Sequence, residues 1–441
     1  MAIATPLITP FTGGWPLVGQ TFEYRRDAFR FYWQVYRQHG EVSRSSLLFR
    51  KVYNLLGPDA NEYVLLNQGG NFKSQPAWEE LLQALFPGGL MLRDGAEHKM
   101  HRRLMQGAFS HESLRTYHGM MDARMAATLD QWPTDRAVPF LELIKQLTLD
   151  VATQVFMGEQ SGLVAADLKE DFVRMVDASV AIFRVNAPGV KYGRGLAARQ
   201  RMVRYFQDRV SAKRQSGQSD LFARLAQATD EAGKHFSDEE VVNHMIFMMM
   251  AAHDTTTSTL TSVIRCLAEH PQWQHALREE ASANPAPLSF DALSGLTLAD
   301  QVMKEALRLY PPVATLPRLA SEPFEFKGHL IPGQSLVAVS PLISHYLPEI
   351  WSSPERFDPE RFAPHRAEDR RHRFAWVPFG AGVHKCIGMH FADNQIKLVL
   401  HHLLNRFEWR LATPSTARID WIPICHPVDG LPVILRNRSR S

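Results

Sequence analysis

Trp376-Val-Pro-Phe-Gly-Ala-Gly-Val-His-Lys-Cys386-Ile-Gly-Met-His390 is the stretch that decides the fold. Glycines on both sides of Cys386 let the backbone approach a flat, bulky group and turn amide N–H groups toward the sulfur. The amphipathic run from Phe391 to Phe407 predicts a helix, and a helix N-terminus beside basic side chains favours the thiolate form of a cysteine. The stretch therefore predicts a site for a soft metal, with a buried helix-capping cysteine as the alternative.

The longest helical pattern begins at the capping box Ser237-Asp-Glu-Glu240 and ends before Pro271. Roughly 32 residues at about 1.5 Å per residue give a helix of roughly 48 Å, which must cross the molecule. Its middle, Ala251-Ala-His-Asp-Thr-Thr-Thr257, combines small residues, an acid and hydroxyls, which suit a buried helix centre poorly. Such breaches of local preference mark functional sites, so we expect chemistry here, with His253 as a packing residue.

A third motif, Glu305-Ala-Leu-Arg308, lies on a helix predicted from Leu298 to Tyr310. Its acid and base are three residues apart and share a helix face. Two later Pro-Glu-Arg-Phe motifs supply Arg356 and Arg361, and one of these, with Arg361 preferred, would complete a charge cluster with Glu305 and Arg308. Such a cluster is structural, because a paired cluster fixes a loop while an unpaired buried charge costs several kcal/mol.

Taken in order, these motifs resemble the cytochrome P-450 family, the haem-thiolate monooxygenases. The pattern Phe379-x-x-Gly382-x-x-x-Cys386-x-Gly388 is similar to the haem-binding loop of that family, and Ala251 to Thr256 to its oxygen-binding motif, with Ala252 where glycine is commoner. The resemblance covers the whole chain. It implies a mainly α fold with a smaller β portion and a long central helix over a haem, in a single catalytic domain over 1–441 with β-rich parts near 40–60, 313–340 and 406–436.

The resemblance also implies roles for the matched residues. Cys386 would be the ligand of the iron of haem b, and Thr255 and Asp254 would deliver protons. Residues expected to contact the haem are His98, Arg102, Arg318, His384, Phe379, Gly380, Gly382, Gly388 and Ala251. Residues expected to line the substrate pocket are Phe86, Met91, Met248, Val313, Ala314, Thr315 and Leu316. For His98 and Arg102, which are four apart on one helix face, a solvated basic face is the alternative.

The implied activity is the insertion of one oxygen atom from dioxygen into a C–H bond of a bulky apolar molecule of terpenoid, retinoid or steroid type. The turn from Pro188 to Arg199 adds a weaker resemblance to the retinoid-, sterol- and terpenoid-oxidising branches. A fatty-acid hydroxylase is the alternative, although only Arg184 could reach the pocket mouth to pair with a carboxylate. A peroxygenase, or a haem sensor or carrier without turnover, are further alternatives, and the pair Asp254 and Thr255 counts against both.

Composition argues against several other classes. A formal net charge of +3 in 441 residues is too slight to imply nucleic-acid binding. Cys266, Cys386 and Cys425 are an odd set without paired spacing, which argues against disulfides and for a reducing compartment. The chain has no uninterrupted run of about 18 apolar residues and no signal-peptide pattern. We therefore expect a cytoplasmic protein without a membrane anchor, and a monomer.

The expected partners are dioxygen, the apolar substrate and an external electron donor. The donor would be of ferredoxin or flavodoxin type with its reductase, because 441 residues leave no room for a fused reductase. An acidic donor would be steered by a basic patch made of Lys99, Arg103, Arg366, Arg370, Arg371, Arg373 and Lys385.

Three local predictions concern the segments around these motifs. A hairpin is predicted to turn at Arg50-Lys51. The segment from Phe324 to Val339 is predicted to form two strands that turn at Lys327-Gly328. The Gly/Pro-rich segment from Gln68 to Gly95 is predicted to be a long loop whose many apolar side chains cover part of the protein.

Overall fold

The helix and strand content confirms the predicted mainly α fold with a smaller β portion. The structure is a computed structural model, and it describes residues 7–47, 49–159, 163–179, 181, 184–284, 286–414 and 417–438. Contacts within the chain gather into two compact units, one made of residues 1–78, 301–386 and 417–428 and the other of residues 79–300, 387–416 and 429–441. That the whole chain is one catalytic domain stays a prediction.

The helices and strands follow one another along the whole chain. The helices are α1 Thr21–Arg26, α2 Ala28–His39, α3 Pro58–Leu66, α4 Gln75–Leu82, α5 Gly95–Gln106, α6 His111–Leu129, α7 Phe140–Met157, α8 Leu163–Ser179, α9 Lys191–Gln215, α10 Leu221–Gln227, α11 Asp238–Glu269, α12 Pro271–Ser282, α13 Thr297–Leu309, α14 Pro341–Ser344 and α15 Met389–Arg406. The strands are β1 Val42–Leu47, β2 Arg50–Leu55, β3 Phe72–Lys73, β4 Ala137–Pro139, β5 Leu316–Ala320, β6 Phe324–Phe326, β7 His329–Ile331, β8 Ser335–Val339, β9 Phe407–Leu411, β10 Ile419–Asp420, β11 His426–Pro427 and β12 Pro432–Asn437.

Helix α11 is the long helix that the capping box predicts. The Ser237 hydroxyl accepts a hydrogen bond from the Glu240 N–H at 3.2 Å, and the Glu240 carboxylate accepts one from the Ser237 N–H at 2.8 Å. Further along the helix, the hydroxyls of Thr259 and Thr261 donate to carbonyls one turn earlier, at 2.9 and 2.8 Å. These internal bonds allow polar side chains to stay buried at the centre of a helix.

The first unit is built on a five-stranded sheet with the strand order β1-β2-β8-β5-β3. Strands β2 and β8 run parallel, and the other neighbours are antiparallel. One face of the sheet packs on α3 through a core that includes Leu55, Val64, Val337 and Val339, all with 0% exposure. This core supports β5 and the segment that leads to the cysteine loop.

The second unit contains most of the helices. In it α11 contacts α7, α8, α9 and α10, while α15 packs on α6 and α12. A hydrogen bond of 2.7 Å between the hydroxyls of Thr148 and Thr257 joins α7 to α11 within the buried contact. The antiparallel strands β4, β12 and β9 form the sheet of this unit. Among the helices in the described ranges, none is both long and apolar enough to cross a bilayer.

Two local predictions were wrong and one was wrong in part. Arg50 and Lys51 do not form the hairpin turn, because they pair with Leu47 and Ser46 inside β1 and β2, and the turn precedes them. Residues 68–95 are not one long loop: they contain β3, α4 and a short 3-10 helix, because burying their apolar side chains favours regular structure. Residues 324–339 form three strands instead of two, although the turn at Lys327-Gly328 is confirmed between β6 and β7.

The first unit contains a buried cluster of charged side chains around Glu305. Glu305, Arg308 and Arg361 are each 0% exposed. Arg308 binds both oxygens of Glu305 through Nε at 2.7 Å and Nη2 at 2.8 Å, and Arg361 Nε binds Oε1 at 3.1 Å. The Asp358 N–H also donates to Glu305 Oε1 at 2.9 Å. Of the two arginines that the sequence leaves open, Arg356 contributes only its carbonyl oxygen, which accepts from Arg308 and Arg361.

Glu368 is a further member of the cluster that no sequence motif indicates. It accepts hydrogen bonds from Arg361 at 3.1 Å, from Arg366 at 2.7 Å and from the Ser352 N–H at 2.9 Å. Burial alone would raise the pKa of Glu368, but these hydrogen bonds outweigh burial and bring the pKa down to about 2. The cluster therefore contains two arginines and two carboxylates whose charges are compensated.

Replacement of Arg361 by Met should lower the free energy of unfolding by about 3–5 kcal/mol, because Glu305 would remain buried without its second cation. The exposed Arg356 offers a matched control, and its replacement by Met should change stability by less than about 0.5 kcal/mol. Urea unfolding followed by tryptophan fluorescence measures both. Equal losses in the two variants would contradict the assignment of Arg361 to the cluster.

Candidate active site

The cysteine loop of the first unit is shaped by backbone hydrogen bonds and two left-handed glycines. The Cys386 N–H donates to the Phe379 carbonyl at 2.9 Å, and the Gly380 N–H to the Val377 carbonyl at 3.0 Å. Gly380 and Gly382 have φ of 65° and 64°. A Cβ on Gly382 would lie 2.0 Å from the Leu65 carbonyl oxygen, so α3 approaches the loop too closely for any side chain.

The loop is connected to the charge cluster through His345, a residue that the sequence did not single out. The Val377 N–H donates to His345 Nε2 at 3.0 Å, so the Nδ1–H of the ring must donate to the Arg308 carbonyl at 3.1 Å. Burial, with a contribution from the Arg308 charge, lowers the pKa of His345 to about 3. The ring is therefore neutral at physiological pH and joins the cluster to the loop in one fixed tautomer.

The side chains of Trp376 and Asn61 make three further hydrogen bonds around the chain on the N-terminal side of the loop. The indole Nε1–H of Trp376 donates to the Lys304 carbonyl at 3.1 Å, one residue before Glu305. The buried amide of Asn61 donates to the Ser344 hydroxyl at 2.9 Å and to the Phe374 carbonyl at 3.3 Å. Each partner comes from a distant part of the chain and belongs to no local motif.

The three cysteines occupy different environments. All three lie within the described residues; Cys386 is exposed, whereas Cys266 and Cys425 are buried. Cys425 packs in an apolar cluster with Ala314, Leu342 and Trp421. A large planar cofactor needs an accessible thiolate on a rigid, glycine-lined backbone, and only the environment of Cys386 meets that need. The residues of the loop therefore fit a thiolate-bound haem.

Helix α11 presents the predicted acid and alcohol in the second unit. The Thr255 hydroxyl donates to the Ala251 carbonyl at 2.7 Å, which leaves its oxygen free to accept a proton-bearing partner. The Asp254 carboxylate lies 2.8 Å from His253 Nδ1. His253 is buried and packs edge-on against Phe172 at 5.4 Å, so its packing role agrees with the structure, but it also makes polar contacts that no sequence pattern indicates.

The predicted haem-contact residues outside the loop divide between the two units. In the second unit, His98 and Arg102 lie one turn apart on α5, with His98 buried and Arg102 half-buried. In the first unit, Arg318 is buried on β5, and its Nη1 donates to the Pro317 carbonyl at 2.8 Å. The basic side chain of His384 stands in the loop itself and is half-buried.

The predicted pocket residues also divide between the units. Phe86 and Met248 are buried and Met91 is half-buried in the second unit. In the first unit, Val313 and Leu316 are half-buried, Ala314 packs with Leu342 and Trp421, and Thr315 lies 3.3 Å from the Tyr24 hydroxyl and 3.2 Å from that of Tyr32. Ala314 and Thr315 therefore have partners within the first unit.

Three of the seven basic residues of the expected steering patch are paired with acids. Arg366 binds Asp358 and Glu368, each at 2.7 Å, and Arg373 forms an ion pair with Glu62. Arg103 lies 2.5 Å from Glu231. Arg370, Arg371 and Lys385 are exposed, although Arg371 also donates to the Ile350 carbonyl at 2.6 Å. The positive surface is therefore smaller than the sequence suggests.

Comparison with known proteins identifies the family of the chain. The family model for Cytochrome P450 matches residues 9–420. The chain is 39% identical over 433 residues to the "Putative cytochrome P450 136" of Mycobacterium tuberculosis, covering 96% of this chain and 88% of that protein. It is 29% identical over 438 residues to the abscisic acid 8'-hydroxylase 3 of Oryza sativa subsp. indica, covering 96% and 85%.

A solved structure gives the same result. The one described as "Retinoic acid bound cyanobacterial CYP120A1" has a TM-score of 0.90 and 27% identity to this chain, and the match covers 98% of this chain and 100% of that one. Members of the matched family carry a haem whose iron is held by a cysteine thiolate. The chain belongs to the cytochrome P450 family of monooxygenases.

Proposed function

We propose that Cys386 supplies the thiolate of the haem site and that the enzyme hydroxylates a bulky isoprenoid molecule of terpenoid, retinoid or steroid type. The observation that carries the first part is that Cys386 is exposed on a loop whose backbone is held by hydrogen bonds to the Phe379 and Val377 carbonyls. Cys266 and Cys425 are the rivals, and both are buried, so the side chains packed around them would have to be displaced to admit a haem.

The bound haem would supply the oxygen chemistry, and the protein would supply the ligand, the protons and the pocket. The Phe379 carbonyl holds the Cys386 amide, and through it the position of the sulfur. Thr255 would present its hydroxyl oxygen as an acceptor to a donor in the pocket, while its own O–H donates to the Ala251 carbonyl. Asp254 would carry protons toward Thr255 from the solvent side.

Residues His98, Arg102 and Arg318 would pair with the propionate groups of the haem. A carboxylate that accepts from arginine forms a strong, charge-assisted hydrogen bond, which suits cations that are withdrawn from bulk solvent. Buried Arg318 and half-buried Arg102 have the required character. His384 and Phe379, together with the three loop glycines, would contact the haem from the thiolate side.

The substrate class is supported by the relatives and by the character of the pocket candidates. One relative is named a hydroxylase of abscisic acid, and one similar structure has retinoic acid bound; both compounds are isoprenoid. Phe86, Met91 and Met248 are apolar, and methionine adapts its shape to irregular ligands. Arg184, the cation that could have held a fatty-acid carboxylate, donates instead to the carbonyls of Glu80 and Ser179.

The electrons would come from a separate donor of ferredoxin or flavodoxin type with its reductase. Exposed Arg370 lies shortly before the cysteine loop in sequence, and exposed Lys385 directly precedes Cys386. Both would attract an acidic partner. Because two of the four neighbouring arginines, Arg366 and Arg373, are already paired with acids, steering would be modest and correspondingly less sensitive to salt.

Carbon monoxide binding to the reduced protein tests the ligand. The wild-type protein should show the strongly red-shifted Soret band of a thiolate-bound haem, and Cys386→Ala should abolish it. Cys266→Ala and Cys425→Ala are matched controls that should keep the band. Loss of the band in either control, with its retention in Cys386→Ala, would overturn the assignment.

Titration of the ferric protein tests the substrate class. All-trans-retinoic acid, abscisic acid, a steroid and a fatty acid are added in turn while the spin-state change of the Soret band is followed. We expect an isoprenoid compound to give the response at the lowest concentration, because it fills an apolar pocket and displaces water from the haem face. A response to the fatty acid alone would replace this proposal with fatty-acid hydroxylation.

The fate of the electrons tests Thr255. With the best compound of that titration and a surrogate ferredoxin system, Thr255→Ala should consume reductant but release most of the oxygen as hydrogen peroxide. Asp254→Asn should slow turnover about tenfold or more, because a neutral amide cannot transfer a proton. Thr259→Ala, on the same helix one turn later, is the matched control and should remain coupled. Full coupling in Thr255→Ala would remove its hydroxyl from the mechanism.

A further inference from the structure

The His253 ring lies between two hydrogen-bond acceptors. Its Nε2 is 3.1 Å from the Lys145 carbonyl oxygen on α7, and its Nδ1 is 2.8 Å from Oδ1 of Asp254. A carbonyl oxygen can only accept, so Nε2 must carry a proton. In a neutral ring, Nδ1 would then be an acceptor facing an ionised carboxylate, which is repulsive.

The contact is satisfied only if the pair holds one more proton than a neutral imidazole and an ionised carboxylate hold together. Either the ring is an imidazolium beside ionised Asp254, or the ring is neutral beside a protonated Asp254. In both forms the proton lies between Nδ1 of His253 and Oδ1 of Asp254. The proton is therefore shared with Asp254, the residue immediately before Thr255.

Two other buried histidines in the second unit make comparable contacts without needing an extra proton. His402 also contacts an acid, Asp122, through Nε2 at 2.7 Å, but Arg406 donates to its Nδ1, so no extra proton is required. His118 lies between the Leu288 carbonyl at 2.7 Å and the Asn394 side-chain amide at 2.8 Å. An amide can turn its N–H₂ group toward Nδ1, so His118 can stay neutral.

The extra proton has a route to solvent. The side chains of His253 and Asp254 line a cavity between α7, α8 and α11, to which Lys145 and Asp177 also contribute. The cavity has about 10 Å³ of room for the centre of a water molecule, which is near the threshold for one water. Asp254 is 21% exposed and Asp177 58% exposed, so the cavity connects the buried ring to the surface.

The neighbouring charges are balanced around the pair. Lys145 on α7 and Asp177 on α8 face the cavity with opposite charge, and Lys191 of α9 lies 3.9 Å from Asp177. Phe172 covers the edge of the ring from α8. The His253 side chain itself is only 1% exposed, so it can exchange protons with solvent only through Asp254 or a water in the cavity.

We propose that His253 and Asp254 form a proton store that refills from the Asp177 side and supplies the Thr255 side of α11 during turnover. The proposal rests on the monooxygenase function with Thr255 in the oxygen pocket. His253 is a positioning residue in it: it loads Asp254 with a proton and holds the carboxyl group toward the cavity.

The proton balance of the reaction defines what the store must do. Insertion of one oxygen atom consumes the substrate, dioxygen, two electrons from the reduced iron–sulfur or flavin donor and two protons, and gives the alcohol and water. Each proton that leaves Asp254 toward Thr255 leaves neutral His253 beside an ionised carboxylate. One proton from solvent, taken up through the cavity, restores the pair.

The protonation state can be measured on the wild-type protein. In the diamagnetic ferrous carbonyl form, ¹⁵N shifts of the histidine rings and ¹³Cγ shifts of the aspartates report where the protons are. At neutral pH we expect His253 as an imidazolium, or Asp254 as the protonated acid, while His118 is a neutral ring. A neutral His253 beside an ionised Asp254 would overturn the proposal.

The kinetic test uses His253→Gln, whose amide can still donate to the Lys145 carbonyl but cannot store a proton. Oxygen consumption driven by a surrogate ferredoxin system, without added substrate, is measured in H₂O and D₂O. We expect the rate to fall about tenfold or more and the solvent isotope effect to rise, because proton delivery becomes limiting. His118→Gln is the matched control and should behave as wild type.

Oxidation of guaiacol by hydrogen peroxide separates this role from a structural one. Peroxide brings its own protons, so His253→Gln should keep the wild-type rate in that reaction. Parallel loss of both reactions, or an unchanged rate of oxygen consumption, would overturn the proposal. A normal red-shifted carbonyl band in His253→Gln would show in either case that the proposed haem site stands independently.

Discussion

The buried carboxylate of Glu305 is the constraint on which the cysteine loop depends. An ionised carboxylate with no solvent exposure is tolerated only when cations and N–H groups surround it, and here Arg308, Arg361 and the Asp358 amide do so. The same arrangement orders the chain around it. His345 donates a hydrogen bond to the Arg308 carbonyl and accepts one from the Val377 N–H. The need to compensate the charge of Glu305 thus helps to set the position of the loop, through Arg308 and His345.

The parts of the fold that the sequence predicted are those governed by local rules. The capping box located the start of α11, and the spacing of Glu305 and Arg308 placed them on one face of α13. The glycines around Cys386 predicted a tight loop because positive φ is inexpensive only for glycine. Each of these inferences needed only a few neighbouring residues, which is why a single sequence was sufficient.

The parts that it missed are governed by tertiary contacts. His345, Glu368 and Asn61 support the loop from distant segments, and none of them stands in a pattern that signals this role. The segment 68–95 has the composition of a loop, yet it forms α4 because burial of its apolar residues outweighs its weak local preference. The proposed proton shared by His253 and Asp254 could not be predicted from the sequence either, since it depends on the Lys145 carbonyl facing the ring.

The contacts that fix the loop, from Leu65 and His345 to Trp376, all lie within the first unit. The loop therefore keeps its shape only while the first unit is folded, and local unfolding of α3 would also release the backbone around Cys386.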